Sequence, residues 1–232
     1  MDQDNSMESA KAAVLQAALA HVPFDGWSEA TLKAAIADSG VAPGLALALF
    51  PRRAVDLALA YHRSGDVAMT DRLAATDLTT LRYRDRIATA IRFRLEACED
   101  KELVRRGTTL FALPQNAGDG VRAIWGTADT IWTALGDTSD DLNWYSKRAT
   151  LSAVYTATVV FWLGDDSPDH HATWEFLDRR IDNVMQVEKL KASARNNPLS
   201  KAILAGPLRF LGQIKAPVTP DDLPGTVKNR QS

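Results

Sequence analysis

Residues 165–171 read Asp-Asp-Ser-Pro-Asp-His-His, the densest run of metal-ligand side chains in the chain. Carboxylates and imidazoles are the ligands that zinc and non-haem iron take. Here they crowd a single Pro-containing connector, and no helical i, i+4 pair presents them to a common point. The connector reads instead as solvated, with acidic groups capping the helix that follows, where a carboxylate meets unpaired N–H groups and the positive end of the helix dipole. Other catalytic patterns are missing from the sequence. There is no Gly-x-Ser-x-Gly elbow and no Walker loop, and Gly118-Asp119-Gly120 lacks the third glycine of a dinucleotide fingerprint. No Glu is followed three residues later by His, so the pairs that build a di-iron bundle site are absent. The familiar signatures of catalysis and of a bound cofactor or metal are thus missing, and 165–171 is the one candidate enzymatic site.

The strongest binding signal lies between Trp125 and Trp162, a stretch with four of the chain's six tryptophans. Two helical patterns flank the connector Gly136-Asp137-Thr138-Ser139-Asp140-Asp141, and the second opens on Asn143-Trp144-Tyr145. At about 100° per residue, Trp144, Arg148, Leu151, Tyr155, Val159 and Trp162 share one stripe. Ala149, Ala153 and Ala157 line the opposite face, small enough for another backbone to approach closely. Trp, Tyr and Arg together at a helix start are the residues enriched in binding hot spots. A core helix uses aromatic residues too, and one helix can do both. On that reading Tyr155 and Trp162 lie inside, and Trp144 and Tyr145 lie near an exposed end.

The elements that must position these residues are helical. The patterning predicts helices over about 11–21, 28–38, 43–50, 52–64 and 81–105, then a loop over 114–120. The tryptophan-rich hairpin follows, then a helix over 173–194. Ser28 is a good N-cap, Gly40 a good stop, and Ile87, Ile91, Leu95 and Cys98 keep an i, i+4 spacing. After the break Asn196-Asn197-Pro198, residues Leu199, Ile203, Leu204, Pro207, Phe210, Leu211 and Ile214 fall on one broad apolar face. Lys201, Arg209 and Gln213 fall opposite, the arrangement of a helix lying in a membrane surface. No alternating strand pattern of useful length is present. The division expected is 1–64, 65–195, 196–215 and a tail over 216–232, all-α throughout.

Bulk properties narrow the partners. A formal net charge of −2 gives no general attraction to phosphate backbones. The single Cys98 excludes an internal disulfide and fits a reducing compartment. No apolar run approaches the roughly 20 residues of a membrane span. The acidic start Met1 to Ala10 is unlike a secretory or transit peptide, so the expected location is a bacterial cytoplasm, or the mitochondrial matrix side for a eukaryotic source.

The first third resembles the DNA-binding domain of TetR regulators: helix, helix, Gly40-Val41, short helix, Phe50-Pro51, long helix, with Gly44 also on that scaffold. Its would-be recognition helix reads Gly-Leu-Ala-Leu-Ala-Leu-Phe, without one donor for a base edge or phosphate. DNA binding through it is therefore not expected.

With Asp77 to Glu96, Trp125 to Trp162 and Trp174 to Val184 added, the chain resembles the accessory lipid-binding family of ubiquinone (coenzyme Q) biosynthesis. This is the ninth protein of the eukaryotic Coq series, with its bacterial relatives. The resemblance implies a TetR-like helical fold with a degenerate N-terminal helix-turn-helix, no catalysis, and a homodimer that does not bind nucleic acid. It implies binding of an isoprenoid quinone or phospholipid in a helical pocket, for which Ile91, Leu95, Trp132 and Tyr155 are candidate lining residues. It further implies a di-iron hydroxylase partner, met by Asp137, Asn143, Trp144, Tyr145 and Arg148. The membrane is met by Leu199, Ile203, Leu204, Phe210, Leu211 and Ile214. The rival readings are a TetR-type ligand-responsive regulator and an enzyme centred on 165–171.

Overall fold

The computed structural model describes residues 2–196, with side chains over 6–186. Ten α-helices make up the described residues, with no strand among them. They run α1 Asp2–Leu19, α2 Val22–Asp25, α3 Glu29–Ser39, α4 Pro43–Leu49 and α5 Ala54–Ala74 in the first half. In the second half come α6 Tyr83–Glu96, α7 Lys101–Ala112, α8 Ala117–Ala134, α9 Leu142–Leu163 and α10 His171–Asn196. No helix among the described residues is long and apolar enough to cross a membrane. The segment carrying Leu199, Ile203, Leu204, Phe210, Leu211 and Ile214 lies outside the described residues.

Two apolar cores form. Val14, Val22, Trp27, Leu32, Phe50, Leu57 and Leu103 build the first around the helix-turn-helix. Met69, Ile91, Leu95, Ile131, Leu151, Tyr155, Trp162 and Ile181 build the second, between α5, α6, α8, α9 and α10. The local signals for the first core act as read: Ser28 Oγ accepts from Thr31 N at 3.1 Å, and Gly40 ends α3 at φ 69°, where a side chain would be strained. Trp27 Nε1 donates to the Leu103 carbonyl at 2.9 Å, tying α7 onto the first core.

Several boundaries differ from the sequence reading: α1 starts at Asp2 where a helix was expected from about residue 11, and α5 runs on to Ala74 where one was expected to end near 64. The single helix expected over 81–105 is two, because Asp100 accepts from Glu102 N at 2.8 Å and starts α7 afresh. The break lets α6 face the second core while Leu103 of α7 reaches the first. The loop expected over 114–120 closes at Asn116, and α8 begins at Ala117. The division expected at residue 64 falls inside α5, whose first half packs in one core and whose second half packs in the other.

Candidate functional site

Two places carry built geometry. The first is the α8–α9 hairpin. Asp141 caps α9 by accepting from Asn143 N at 2.8 Å. Asp137, its carboxylate 3% exposed, accepts from Lys147 Nζ at 2.5 Å and Arg148 Nη1 at 3.0 Å, and from Ser139 Oγ at 2.9 Å. Burial alone would raise the Asp137 pKa, but the donors from Lys147, Arg148 and Ser139 outweigh it and bring it down to about 2. Arg148 also donates to Asp129 at 2.6 Å and to the Trp144 carbonyl at 3.3 Å. Its guanidinium lies 4.1 Å from the centre of the Trp144 ring. Trp144 meets Tyr145 edge-on at 4.8 Å and Trp125 at 6.0 Å. The result is a half-buried aromatic cluster clamped at the start of a long helix.

Two residues expected at a partner surface are corrected by this geometry. Arg148 is 2% exposed and Asp137 is equally withdrawn, so neither offers a surface to a partner; they staple the connector and pin Trp144. Asn143 is exposed, and Trp144 and Tyr145 are half-buried. Farther along the stripe, Leu151, Tyr155, Val159 and Trp162 are all core. The small residues Ala149 and Ala153 face solvent, beyond which Val160 is 62% exposed.

The second place is a cavity of 330 Å³ where the two cores meet. Ala58, Trp27 and Leu103 line it from the first core, Leu95, Tyr155 and Val159 from the second. Thr108, Ala112, Val121, Thr156 and Val160 line its exposed side, so it opens between α7, α8 and α9. Of the expected pocket residues, Leu95 and Tyr155 line it. Ile91 and Trp132 do not: Ile91 is fully enclosed in the second core, and Trp132 packs against Tyr83 at 5.9 Å.

The inner wall is polar, which the sequence reading missed. Arg94 is 4% exposed and donates through Nε to Asp66 at 2.7 Å and through Nη2 to the His62 carbonyl at 2.9 Å. Nη1 approaches the Cys98 thiol at 3.4 Å. Nη2 also faces His62 Nδ1 at 3.4 Å, which makes Nε2 the proton-bearing nitrogen, donating to Thr127 Oγ1 at 2.8 Å. Thr127 in turn donates to Asp66 at 2.9 Å. Burial, reinforced by the Arg94 charge, pushes His62 down to about 4, so the imidazole is neutral. Burial pushes the Tyr155 phenol up to about 12 and the Tyr61 phenol higher still. Arg94 follows Ile87 and Ile91 at helical spacing, so a charge on the apolar stripe of α6 was the signal available.

The cluster at 165–171 resolves as capping. Asp165 accepts from Ser167 N and from Thr173 N, each at 2.9 Å, which starts α10. Among the described residues, no group of three or more His, Cys, Asp or Glu side chains gathers as a metal site would.

Helix-turn-helix, two cores and an apolar cavity define an all-α protein of TetR-like architecture. A solved TetR transcriptional regulator from Nitrosomonas europaea superposes with a TM-score of 0.59 at 19% identity, covering 74% of this chain and 95% of that one. In sequence, residues 117–188 match the family model of COQ9. The human ubiquinone biosynthesis protein COQ9, mitochondrial, is 29% identical over 78% of this chain and 59% of its own length. A probable ubiquinone biosynthesis protein coq9, mitochondrial, of Dictyostelium discoideum is 29% identical over 78% and 61%. The COQ9-B protein of Xenopus laevis is 26% identical over 97% and 76%. The chain thus spans about three fifths of the length of the first two relatives.

Proposed function

We propose that this chain is a non-enzymatic accessory protein of ubiquinone biosynthesis that holds an isoprenoid quinone intermediate and brings it to a di-iron hydroxylase. The observation that carries the reading is the cavity between the two cores. Its lining is dominated by Leu95, Leu103, Phe111, Ile124, Val159 and neighbouring apolar groups, and it is open to the surface. An isoprenoid chain leaves a bilayer only at a cost of about 0.8 kcal/mol per CH₂ exposed to water. Apolar walls offset that cost, and a protein that supplies them can hand such a molecule to an enzyme at the membrane.

The aromatic cluster at Trp144 and Tyr145 supports a docking role at the hairpin end: it is half-exposed, and a buried ion-pair network holds it in place. The segment carrying Leu199 to Ile214 is the part we assign to the membrane surface, because its apolar face is flanked by Lys201 and Arg209. A second copy of the chain would complete the assembly. The regulator reading is the weaker one, since α4 turns Leu45 and Leu47 to solvent, each 39% exposed, where a DNA reader needs donors.

The test is mass spectrometry of lipid extracted from the protein purified from a ubiquinone-producing host. A polyprenyl phenol or quinone recovered at near-stoichiometric yield supports the proposal. Protein that emerges empty, and takes up neither quinone nor phospholipid when offered them, overturns it.

A further inference from the structure

We infer that the inner wall of the cavity recognises the oxygenated ring of a neutral quinone or phenol, so that the ligand enters ring first and its chain leaves through the mouth. The inference rests on the lipid-binding reading above and specifies which end of the lipid is read.

Three observations carry it. The first is charge. Arg94 is the cationic group on the inner wall, and Asp66 pairs with it at 2.7 Å while His62 beside it is neutral. The wall is therefore polar without net charge. A phosphate would find its counter-charge already taken, whereas an uncharged carbonyl or phenol oxygen meets oriented donors at no such penalty.

The second is an unmet hydrogen bond. Tyr61 lines the cavity, and its hydroxyl is buried with no partner at normal geometry. Its neighbour is the Cys98 thiol, a weak partner already approached by Arg94 Nη1 at 3.4 Å. Buried hydroxyls without partners are rare in folded proteins and call for an explanation. A ligand oxygen supplies one. Tyr155, on the same wall, brings a second phenol into the field of Arg94.

The third is size. An apolar cavity of about 150 Å³ takes up benzene, so 330 Å³ houses a substituted ring and the start of its chain, but not a polyprenyl tail. The tail must leave by the mouth, and the rim there is apolar, with Val121 67% and Val160 62% exposed.

The experiment uses delipidated full-length protein and calorimetric titration with two probes, a short-chain ubiquinone analogue and an alkylbenzene of the same chain length. The quinone should bind about tenfold or more tightly, as one well-made buried hydrogen bond allows. Tyr61→Phe keeps the ring that contacts Trp27 at 5.3 Å and removes only the oxygen. It should narrow the preference to about threefold or less, with alkylbenzene affinity unchanged. Tyr155→Phe is the second variant, in case the first does not fold. Equal affinity for both probes, or a preference that neither variant narrows, overturns ring recognition while leaving lipid binding intact. A loss of quinone binding as the chain is lengthened overturns the ring-first orientation. Failure of both probes to bind overturns the lipid-binding reading itself.

Discussion

Gly65 occupies a point on α5 where a Cβ would run into the Arg94 guanidinium. Glycine inside a helix ordinarily costs about 1 kcal/mol against alanine, so Gly65→Ala on propensity alone would stabilise the protein. The Arg94 head is held by Asp66 and the His62 carbonyl and cannot step aside freely. We expect the opposite sign, a loss of about 1–3 kcal/mol and a melting temperature lower by several degrees. A rise in melting temperature would show that Arg94 is not fixed. Trp144 calls for a different expectation. A core tryptophan cut to alanine costs about 3–5 kcal/mol. Trp144 is only half-buried, leaning on Trp125, Tyr145 and Arg148. Trp144→Ala should therefore leave the melting temperature within a few degrees while weakening hydroxylase pull-down by about 2 kcal/mol or more. A large drop in melting temperature with pull-down intact would make the cluster structural.

At the scale of elements, the α8–α9 hairpin depends on Asp137, which joins the connector to Lys147 and Arg148 one turn into α9. Its pKa falls from an ordinary 3.8 to about 2, so the stability it adds is fully present above pH 4 and is lost as pH falls through about 2. Acid titration of the wild type should show that loss, of about 2 kcal/mol. Asp137→Asn should lower stability at neutral pH by about 3–5 kcal/mol, because it leaves buried Arg148 with Asp129, itself 44% exposed, as its one remaining carboxylate. The variant should also flatten the acid slope below pH 4. An unchanged slope would place the acid sensitivity elsewhere. The hairpin was largely legible in the sequence: the connector, the helix starting near Asn143, and the buried run from Leu151 to Trp162 follow from spacing alone. Its ion pairs were not. Spacing placed Arg148 on the aromatic stripe but could not show that Asp129 and Asp137 close around it, because those contacts arise only when α8 and α9 fold together. The α6–α7 break escaped for a related reason: periodicity continued through Cys98, and the cap at Asp100 competed with it and won.

Over the whole molecule, the cavity exists because α5 and α7 each serve two cores and leave space where those cores meet. A sequence shows which positions are apolar, but not where packed layers fail to close. Leu95 and Tyr155 were legible as lining residues and Ile91 and Trp132 were misplaced, since all four satisfy the same apolar pattern. In the N-terminal third the absence of donors on α4 was visible without coordinates. The helix-turn-helix frame is kept, with Ala46 and Phe50 fully buried beneath it, while the outward residues of α4 are Leu45 and Leu47. Phosphate contacts dominate protein–DNA affinity, and base-edge hydrogen bonds supply most of its sequence specificity. A net charge of −2 and an apolar reading face on α4 favour neither source. In a gel-shift series over genomic fragments we expect, at most, weak retardation that is alike for all fragments and gone at physiological salt. Swapping Leu45 and Leu47 for arginine should raise that non-specific binding without creating a preferred site, since register also depends on phosphate contacts from the flanking helices. A tight, salt-dependent complex of the unaltered protein with one fragment would return the molecule to the regulators whose architecture it shares.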